Sequence, residues 1–169
     1  MEMKNKYVHE AYSAIFQQDF KRAIDSFRKA IKIHPKNHSL YYKLSITYAR
    51  NQNLQQAIEA IQQAIHLSPE KPSYLIHLQS LKIKQLAREA KKALENKSDV
   101  EPFIEPLLES IELDPLQIEL KWILGLIYMY LEDDQKAEEQ MLEILKIDPE
   151  HNEALHYIKN RSEQKRDVH

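Results

Sequence analysis

The stretch AIKIHPKN at residues 30–37 ends an apolar run with a proline, and similar stretches follow at three later points. These are AIHLSPEK (64–71), SIELDPLQ (110–117) and EILKIDPE (143–150). The step from Pro35 to Pro69 equals the step from Pro115 to Pro149, and the step from Pro69 to Pro115 is longer. A regular period of about 34 residues indicates stacked structural repeats. We therefore expect four copies of one unit, the third enlarged by roughly a dozen residues.

Each copy is predicted to be a pair of helices. Apolar residues precede the first proline at helical spacing, which is typical of an amphipathic helix: Phe20, Ala23, Phe27, Ala30 and Ile31. Proline has no amide hydrogen to donate, and it disfavours helical backbone in the residue before it. Each of the four prolines therefore marks the boundary between one helix pair and the next.

The composition is that of a globular domain. The 169 residues are 43% hydrophobic and 30% charged, enough for one domain with a sizeable core. The absence of cysteine excludes disulfides. No apolar run approaches the roughly 18 residues of a membrane span, and the N-terminal MEMKNKYVHE lacks the apolar core of a secretory signal. The sequence predicts a cytoplasmic protein that does not insert into membranes.

The net charge of −2 conceals an uneven distribution. Residues 1–95 carry 16 Lys+Arg and 8 Asp+Glu, whereas residues 96–169 carry 8 and 18. Such asymmetry can steer a partner or favour head-to-tail contact between copies. Solvated helix faces that differ in sign would explain it equally well.

Small residues recur at fixed distances before the prolines: Ala11, Ala23 and Ala30, then Ser45, Ala57 and Ala64, and in the fourth copy Gly125, Ala137 and Ile144. The fourth copy also contains LGLIY at 124–128. This pattern resembles the tetratricopeptide repeat family, in which small residues let the two helices of a repeat cross closely. The resemblance covers nearly the whole chain. It implies an all-α helical-repeat solenoid, a right-handed superhelix of antiparallel helix pairs with a C-terminal capping helix.

The resemblance also implies the organisation of the chain. We expect one domain over residues 1–169, with repeats at 4–37, 38–71, 72–117 and 118–151 and a capping helix at 152–166 that covers the apolar end of the array. In the third repeat the crossing positions hold Gln79 and Phe103. Its apolar pattern predicts one long first helix from Pro72 to about Glu95, roughly 36 Å long. That helix is either an added contact surface or a tolerated insertion.

A binding groove is the functional surface that the resemblance implies. In such arrays one face of each repeat's first helix lines a concave groove. The candidate lining residues are Val8, Tyr12, Phe16, Tyr42, Ile46, Arg50, Ile76, Ser80, Lys84, Trp122, Leu126, Met129 and Tyr130. Because this lining is largely apolar and aromatic, it predicts a hydrophobic or amphipathic peptide or helix as partner.

The groove has three other interpretations. Some residues on the same helix faces, above all Ile15 and Ile83, could simply fill space between repeats. The groove could accept the long third-repeat helix, the C-terminal helix or a second copy, which would make the protein a self-assembling scaffold. The carboxylate clamp of co-chaperone members fits poorly, since Lys43 is the one basic residue at neutral pH among its matching positions.

The sequence offers no catalytic or cofactor site. A single glycine cannot form a phosphate-binding loop, and no cysteine is present as nucleophile or metal ligand. The eight histidines are scattered without metal-site spacing. The acidic run at 132–134 is better explained as a helix cap, with Asp133 or Asp134 accepting backbone N–H groups. We expect a non-enzymatic protein that binds no metal and no cofactor.

The sequence argues against nucleic acid as a partner. A basic cluster does lie on the second predicted helix: Lys21, Arg22, Arg28, Lys29, Lys32 and Lys36. No aromatic residues interleave with it as a stacking platform would require, and the acidic half of the chain would repel the polymer.

Overall fold

A computed structural model describes the backbone of residues 2–167 and the side chains of residues 6–163. Within this part of the chain every regular element is a helix. The α-helices are α1 (Glu2–Phe16), α2 (Phe20–Ile33), α3 (His38–Arg50), α4 (Leu54–Leu67), α5 (Pro72–Glu95), α6 (Ile104–Leu113), α7 (Ile118–Tyr130), α8 (Asp134–Ile147) and α9 (Asn152–Asp167). A short 3-10 helix, Glu101–Phe103, precedes α6. The predicted all-α fold is confirmed.

Contacts between Cα atoms divide the chain into two compact units. The N-terminal unit is Met1–Gln85 and the C-terminal unit is Leu86–His169, so the division falls inside α5. The single-domain assignment of residues 1–169 and the repeat boundaries drawn from the sequence remain predictions.

The four prolines have the same position relative to the helices. The helices α2, α4, α6 and α8 each end two residues before a proline, and the next helix begins three residues after it. In the first of these turns the Asn37 side chain accepts a hydrogen bond from the Ser39 N–H at 3.2 Å. The periodic sequence therefore sets the helix ends through one repeated turn.

The turn inside each repeat also recurs with one geometry. The second residue after α1, α3, α5 and α7 has a positive φ: Gln18 (59°), Gln52 (63°), Lys97 (51°) and Glu132 (60°). The following N–H then donates back to the carbonyl five residues earlier, as in Asp133 to Tyr128 at 2.9 Å. This is the left-handed closure of a helix C-terminus, here made without glycine. The Asp133 carboxylate then caps α8 by accepting the Lys136 N–H at 3.2 Å, as the sequence indicates.

The third repeat carries its extra residues mainly inside α5. This helix has 24 residues, whereas α3 and α7 have 13 each. The difference is close to three helical turns at about 3.6 residues per turn. Because whole turns return the helix to the same angle, α5 can lengthen and still end in the same left-handed closure.

In the N-terminal unit the helices of the second repeat cross at Ser45 and Ala57, both fully buried. The Ser45 hydroxyl donates a hydrogen bond to the Ala57 carbonyl at 2.7 Å. In the first repeat Ala11, Ala23 and Ala30 are fully buried, and Phe27 fills the space beside them. Small side chains therefore permit close helix packing here.

In the C-terminal unit the corresponding crossing uses Gly125. A Cβ at this position would overlap the Cε methyl of Met141 and would lie 3.4 Å from the Cβ of Gln140. Met141 and Ala137 are fully buried. The glycine thus makes room for the Met141 side chain of α8 against α7.

Candidate functional site

The first helices of the N-terminal unit contact each other through side chains. The Lys43 Nζ of α3 lies 5.2 Å from the ring centroid of Tyr12 on α1. On the other side of α3, Tyr42 packs against Tyr74 of α5 with centroids 4.7 Å apart. These contacts link α3 to α1 and to the first part of α5. We call their accessible side the N-terminal face, defined by Tyr12, Phe16, Lys43, Arg50 and Ile76.

Exposure differs widely among the residues predicted to line a groove here. Phe16 is 91% exposed, Ile76 67% and Tyr12 46%, so these side chains are open to a partner. Arg50, Ser80 and Lys84 are also exposed, whereas Val8, Tyr42 and Ile46 are half-buried. Val8 and Ile15 pack against the core cluster of the first two repeats.

The half-buried residues include a hydrogen-bonded group around His77. The Ser45 hydroxyl gives its one proton to the Ala57 carbonyl, so it must accept from the Nε2–H of His77, 3.0 Å away. Burial, together with the positive charge of Lys84, lowers the pKa of His77. His77 is therefore a neutral packing residue at pH 7. It is one of the positions that match the carboxylate clamp of co-chaperone members, so this position supplies no cation for such a clamp.

The C-terminal unit contains an open cavity of about 810 Å³. Its walls come from α7, the start of α8 and α9: Trp122, Met129, Asp134, Asn152, Glu153, His156, Tyr157, Asn160 and Arg161. We call this space the C-terminal cavity. It brings together Trp122 and Met129, two residues that the sequence predicts as groove lining. The other two, Leu126 and Tyr130, lie outside its lining, half-buried and 44% exposed respectively.

The helix α9 supplies lining residues that the predicted groove lacks. Glu153, His156 and Asn160 lie one full repeat period after Glu119, Trp122 and Leu126. They therefore occupy the groove positions of a further first helix. A signal for them is present in the sequence, because extending the repeat count past Pro149 finds them. The polar composition of α9 by itself suggests only a cap.

An ion pair closes one end of the C-terminal cavity. The Arg161 Nη1 lies 2.5 Å from a carboxylate oxygen of Asp134, and its Nε lies 3.8 Å from Glu138. The Tyr157 hydroxyl and the Arg161 Nε are buried and have no hydrogen-bond partner among the described residues. Burial first, and then the negative charge of Asp134, raise the pKa of Tyr157. The phenol is therefore neutral at pH 7.

The opposite end of the cavity is bounded by Trp122 and the start of α9. The rings of Trp122 and His151 are 5.6 Å apart. The Ala154 N–H donates to the His151 Nδ1 at 3.3 Å, so this imidazole caps the helix. Glu153 extends beside it, with its side chain 66% exposed.

Among the described residues, no three His, Asp or Glu side chains are grouped so that they could hold a metal ion. None of the described helices combines the length and apolar character that crossing a membrane requires.

Comparison with known proteins places the chain in a family. Residues 9–72 and residues 118–151 match family models described as tetratricopeptide repeat. A curated relative, the BBSome complex member BBS4 of Bos taurus, is 26% identical over 135 residues, which are 80% of this chain and 24% of the bovine protein. The chain thus spans about a quarter of the length of this relative.

Two solved structures share the fold. The crystal structure of MamA protein superposes with a TM-score of 0.52 and 23% identity, over 97% of this chain and 83% of MamA. That of YrrB, described as a TPR protein with an unusual peptide-binding site, gives 0.50 and 20% over 90% of each chain. At these identities the likeness concerns the fold alone. Since the family models together match more than half of the 169 residues, the chain belongs to the tetratricopeptide repeat family.

Proposed function

We propose that this protein is a non-enzymatic protein–protein interaction module that binds a hydrophobic or amphipathic peptide or helix on the accessible side of its first helices. Tetratricopeptide repeats support the coarser statement, an interaction module, because stacked repeats present extended binding surfaces. The finer statement, a groove for an apolar guest, is our own inference from the side chains.

The C-terminal cavity is the observation that carries the proposal. Its volume of about 810 Å³ falls within the range of ligand pockets, roughly 300–1,000 Å³. Trp122 and Met129 give it an apolar wall, and polar side chains of α9 lie at its edge. A large indole in a concave site is the kind of anchor that dominates protein interfaces.

The N-terminal face supports the same function. Phe16 and Ile76 are more than half exposed, and Tyr12 is nearly so. Exposed aromatic and aliphatic side chains on the N-terminal face favour a partner that removes them from water. The peptide-binding site named for YrrB agrees with a peptide guest for this chain.

The remaining expectations stay proposals. We propose that the protein works in the cytoplasm, without a cofactor, and that its partner is a protein rather than a nucleic acid or a membrane. These points rest on the family and on the charge pattern of the sequence.

Capture of partners with matched variants tests the proposal. Tyr12→Ser/Phe16→Ser removes the exposed rings of the N-terminal face, and Asn160→Trp adds bulk to an exposed position of the C-terminal cavity. The control Leu113→Ser/Leu116→Ser removes two leucines that are each 72% exposed and lie outside both surfaces. We expect a partner captured by the wild type and the control to be lost from one or both surface variants. An identical set of partners from all four proteins would contradict the proposal.

Self-assembly is the second candidate function, and charge supports it. Residues 1–85 carry 13 Lys+Arg and 6 Asp+Glu, whereas residues 86–169 carry 11 and 20. Opposite net charges favour contact between the N-terminal unit of one copy and the C-terminal unit of another. Sedimentation velocity at increasing protein concentration should then show an oligomer that dissociates as the salt rises from about 0.05 M to about 0.5 M. A monomer under all conditions would exclude it.

A further inference from the structure

We propose that the C-terminal cavity selects a guest segment that carries an arginine or lysine side chain next to an apolar residue, with Glu153 as the carboxylate that receives the cation. This inference rests on the proposed peptide-binding function and adds the chemistry of the partner.

The charges that line the cavity are predominantly negative. Asp134 and Glu153 are acidic, and Arg161 is the basic residue among the lining side chains. Arg161 is already held by Asp134 at 2.5 Å and faces Glu138 at 3.8 Å. Two carboxylates therefore offset the charge of this one guanidinium, although its Nε has no hydrogen-bond partner among the described residues.

Glu153 is the carboxylate with free capacity. Its Oε2 lies 3.5 Å from the Nδ1 of His151, which is the contact that could neutralise it. That nitrogen accepts the Ala154 N–H at 3.3 Å and so carries no proton to donate to Glu153. The side chain is 66% exposed and lines the cavity. A cationic group of a guest can therefore reach it.

Trp122 supplies the second part of the recognition. An indole is the strongest aromatic partner for a guanidinium or ammonium group, and it also packs well against aliphatic carbon. In the N-terminal unit the Tyr12 ring already has one of the chain's own cations beside it, since the Lys43 Nζ lies 5.2 Å from its centroid. The cavity thus offers a cationic guest both an indole and a carboxylate.

The proposed cation is a side chain of another protein. The cavity lining combines the Trp122 indole, the Met129 thioether and the Glu153 carboxylate. The first two suit the aliphatic stem of an arginine or lysine, and the carboxylate suits its charged head. A second copy of this chain, with its exposed basic helix α2, would offer the same chemistry, so the experiment must separate the two sources.

Three short peptides test the preference. Each is an acetylated and amidated helical peptide of about 14 residues, made of alanine, glutamine and leucine without tryptophan. Its leucines form one apolar stripe along the helix. They differ at two positions, which hold arginine, the neutral isostere citrulline, or glutamate. Trp122 is the single tryptophan of the chain and lines the cavity, so its emission reports binding there.

We expect the arginine peptide to shift the Trp122 emission in a saturable way and to bind about ten-fold more tightly than the citrulline peptide. The glutamate peptide should bind most weakly. In Glu153→Gln the preference for arginine over citrulline should fall several-fold. The control Glu112→Gln makes the same change of charge at an exposed site outside the cavity and should leave the preference unchanged.

Each other outcome has a definite reading. Equal binding of the arginine and citrulline peptides would overturn the cation preference and leave the apolar groove intact. Absence of any shift with all three peptides would overturn both proposals for this cavity. Self-association that Glu153→Gln abolishes and Glu112→Gln retains would make a second copy the occupant, which contradicts a foreign partner.

Discussion

The accessible side of the first helices differs between the two units. In the N-terminal unit, side chains of adjacent first helices contact each other and cover part of this surface. Lys43 lies 5.2 Å from the Tyr12 ring and Tyr42 lies against Tyr74, while Phe16 and Ile76 remain exposed. In the C-terminal unit, α7 and α9 leave a cavity of about 810 Å³ between them. The repeat motif therefore determines how helices pair, whereas the residues on the accessible face determine whether the surface is partly covered by its own side chains or forms a cavity.

The helix crossings differ in the same way. The crossing of the second repeat is tied by a hydrogen bond from Ser45 to the Ala57 carbonyl, and that of the fourth by the Met141 side chain packed over Gly125. One crossing depends on a polar bond and the other on shape. Mutations at equivalent positions should therefore affect the two units through different mechanisms.

The largest effect is expected for Gly125→Val. The new side chain would overlap the Met141 Cε and crowd the Gln140 Cβ as well. Such overpacking typically destabilises by about 1–3 kcal/mol, and we expect the upper end because Met141 is fully buried. Urea unfolding followed by Trp122 fluorescence measures it in the C-terminal unit. Gly125→Ala should cost less, since the Met141 methyl can move; equal stability of the valine variant would refute the shape argument.

Ser45→Ala should have an intermediate effect on the N-terminal unit. It removes the donor to the buried Ala57 carbonyl and the acceptor for His77, which leaves two polar groups without these partners. The cost should be about 1–3 kcal/mol. Circular dichroism during urea unfolding measures it, with Ser73→Ala at an exposed helix position as the control. If both variants lose the same stability, the polar tie contributes nothing.

The pH dependence of the two units should differ because of His77. Its pKa in the folded protein lies below its ordinary value of 6.5, since burial and Lys84 disfavour the proton. As the pH falls below 6.5, this histidine binds more protons in the unfolded chain than in the folded chain. The stability of the N-terminal unit should therefore be highest above pH 6.5 and fall as the pH decreases through the folded pKa. His77→Gln should flatten the dependence between pH 7 and 5; an unchanged slope would assign it to other groups.

The smallest effect is expected at the left-handed turns, which are alike in both units. Glu132 has a φ of 60°, a conformation that glycine adopts without cost. Glu132→Gly should stabilise the C-terminal unit by up to about 1 kcal/mol. Thermal unfolding measures the change, and Glu112→Gly inside α6 should destabilise instead. Stabilisation by both variants would show that the turn conformation is not the cause.

Much of the fold is predictable from the sequence. Proline acts locally, so its regular recurrence along the chain places the ends of α2, α4, α6 and α8. The apolar pattern that predicts a long helix ends at Glu95, where α5 also ends. The sequence does not reveal that the insertion is nearly three whole turns, because this depends on where the left-handed residue Lys97 falls.

The candidate site is harder to predict, since exposure depends on neighbouring helices. Periodicity places Tyr42 and Phe16 on the same kind of face, but Tyr74 covers the first and the second is 91% exposed. The cavity depends equally on α9, whose polar sequence suggests a cap. Its lining positions follow from the repeat count only when that count is carried beyond Pro149.

Site-specific photo-crosslinking can show whether the proposed surfaces meet a partner in the cell. p-Benzoylphenylalanine would replace Phe16 on the N-terminal face, His156 in the C-terminal cavity, or Leu116 on neither surface, all three being exposed positions. Because the groups react only with nearby molecules, irradiation in cells reports what each surface contacts. We expect positions 16 or 156, and not 116, to crosslink to a different protein. Crosslinks to such a protein from position 116 alone would contradict the proposed binding surfaces.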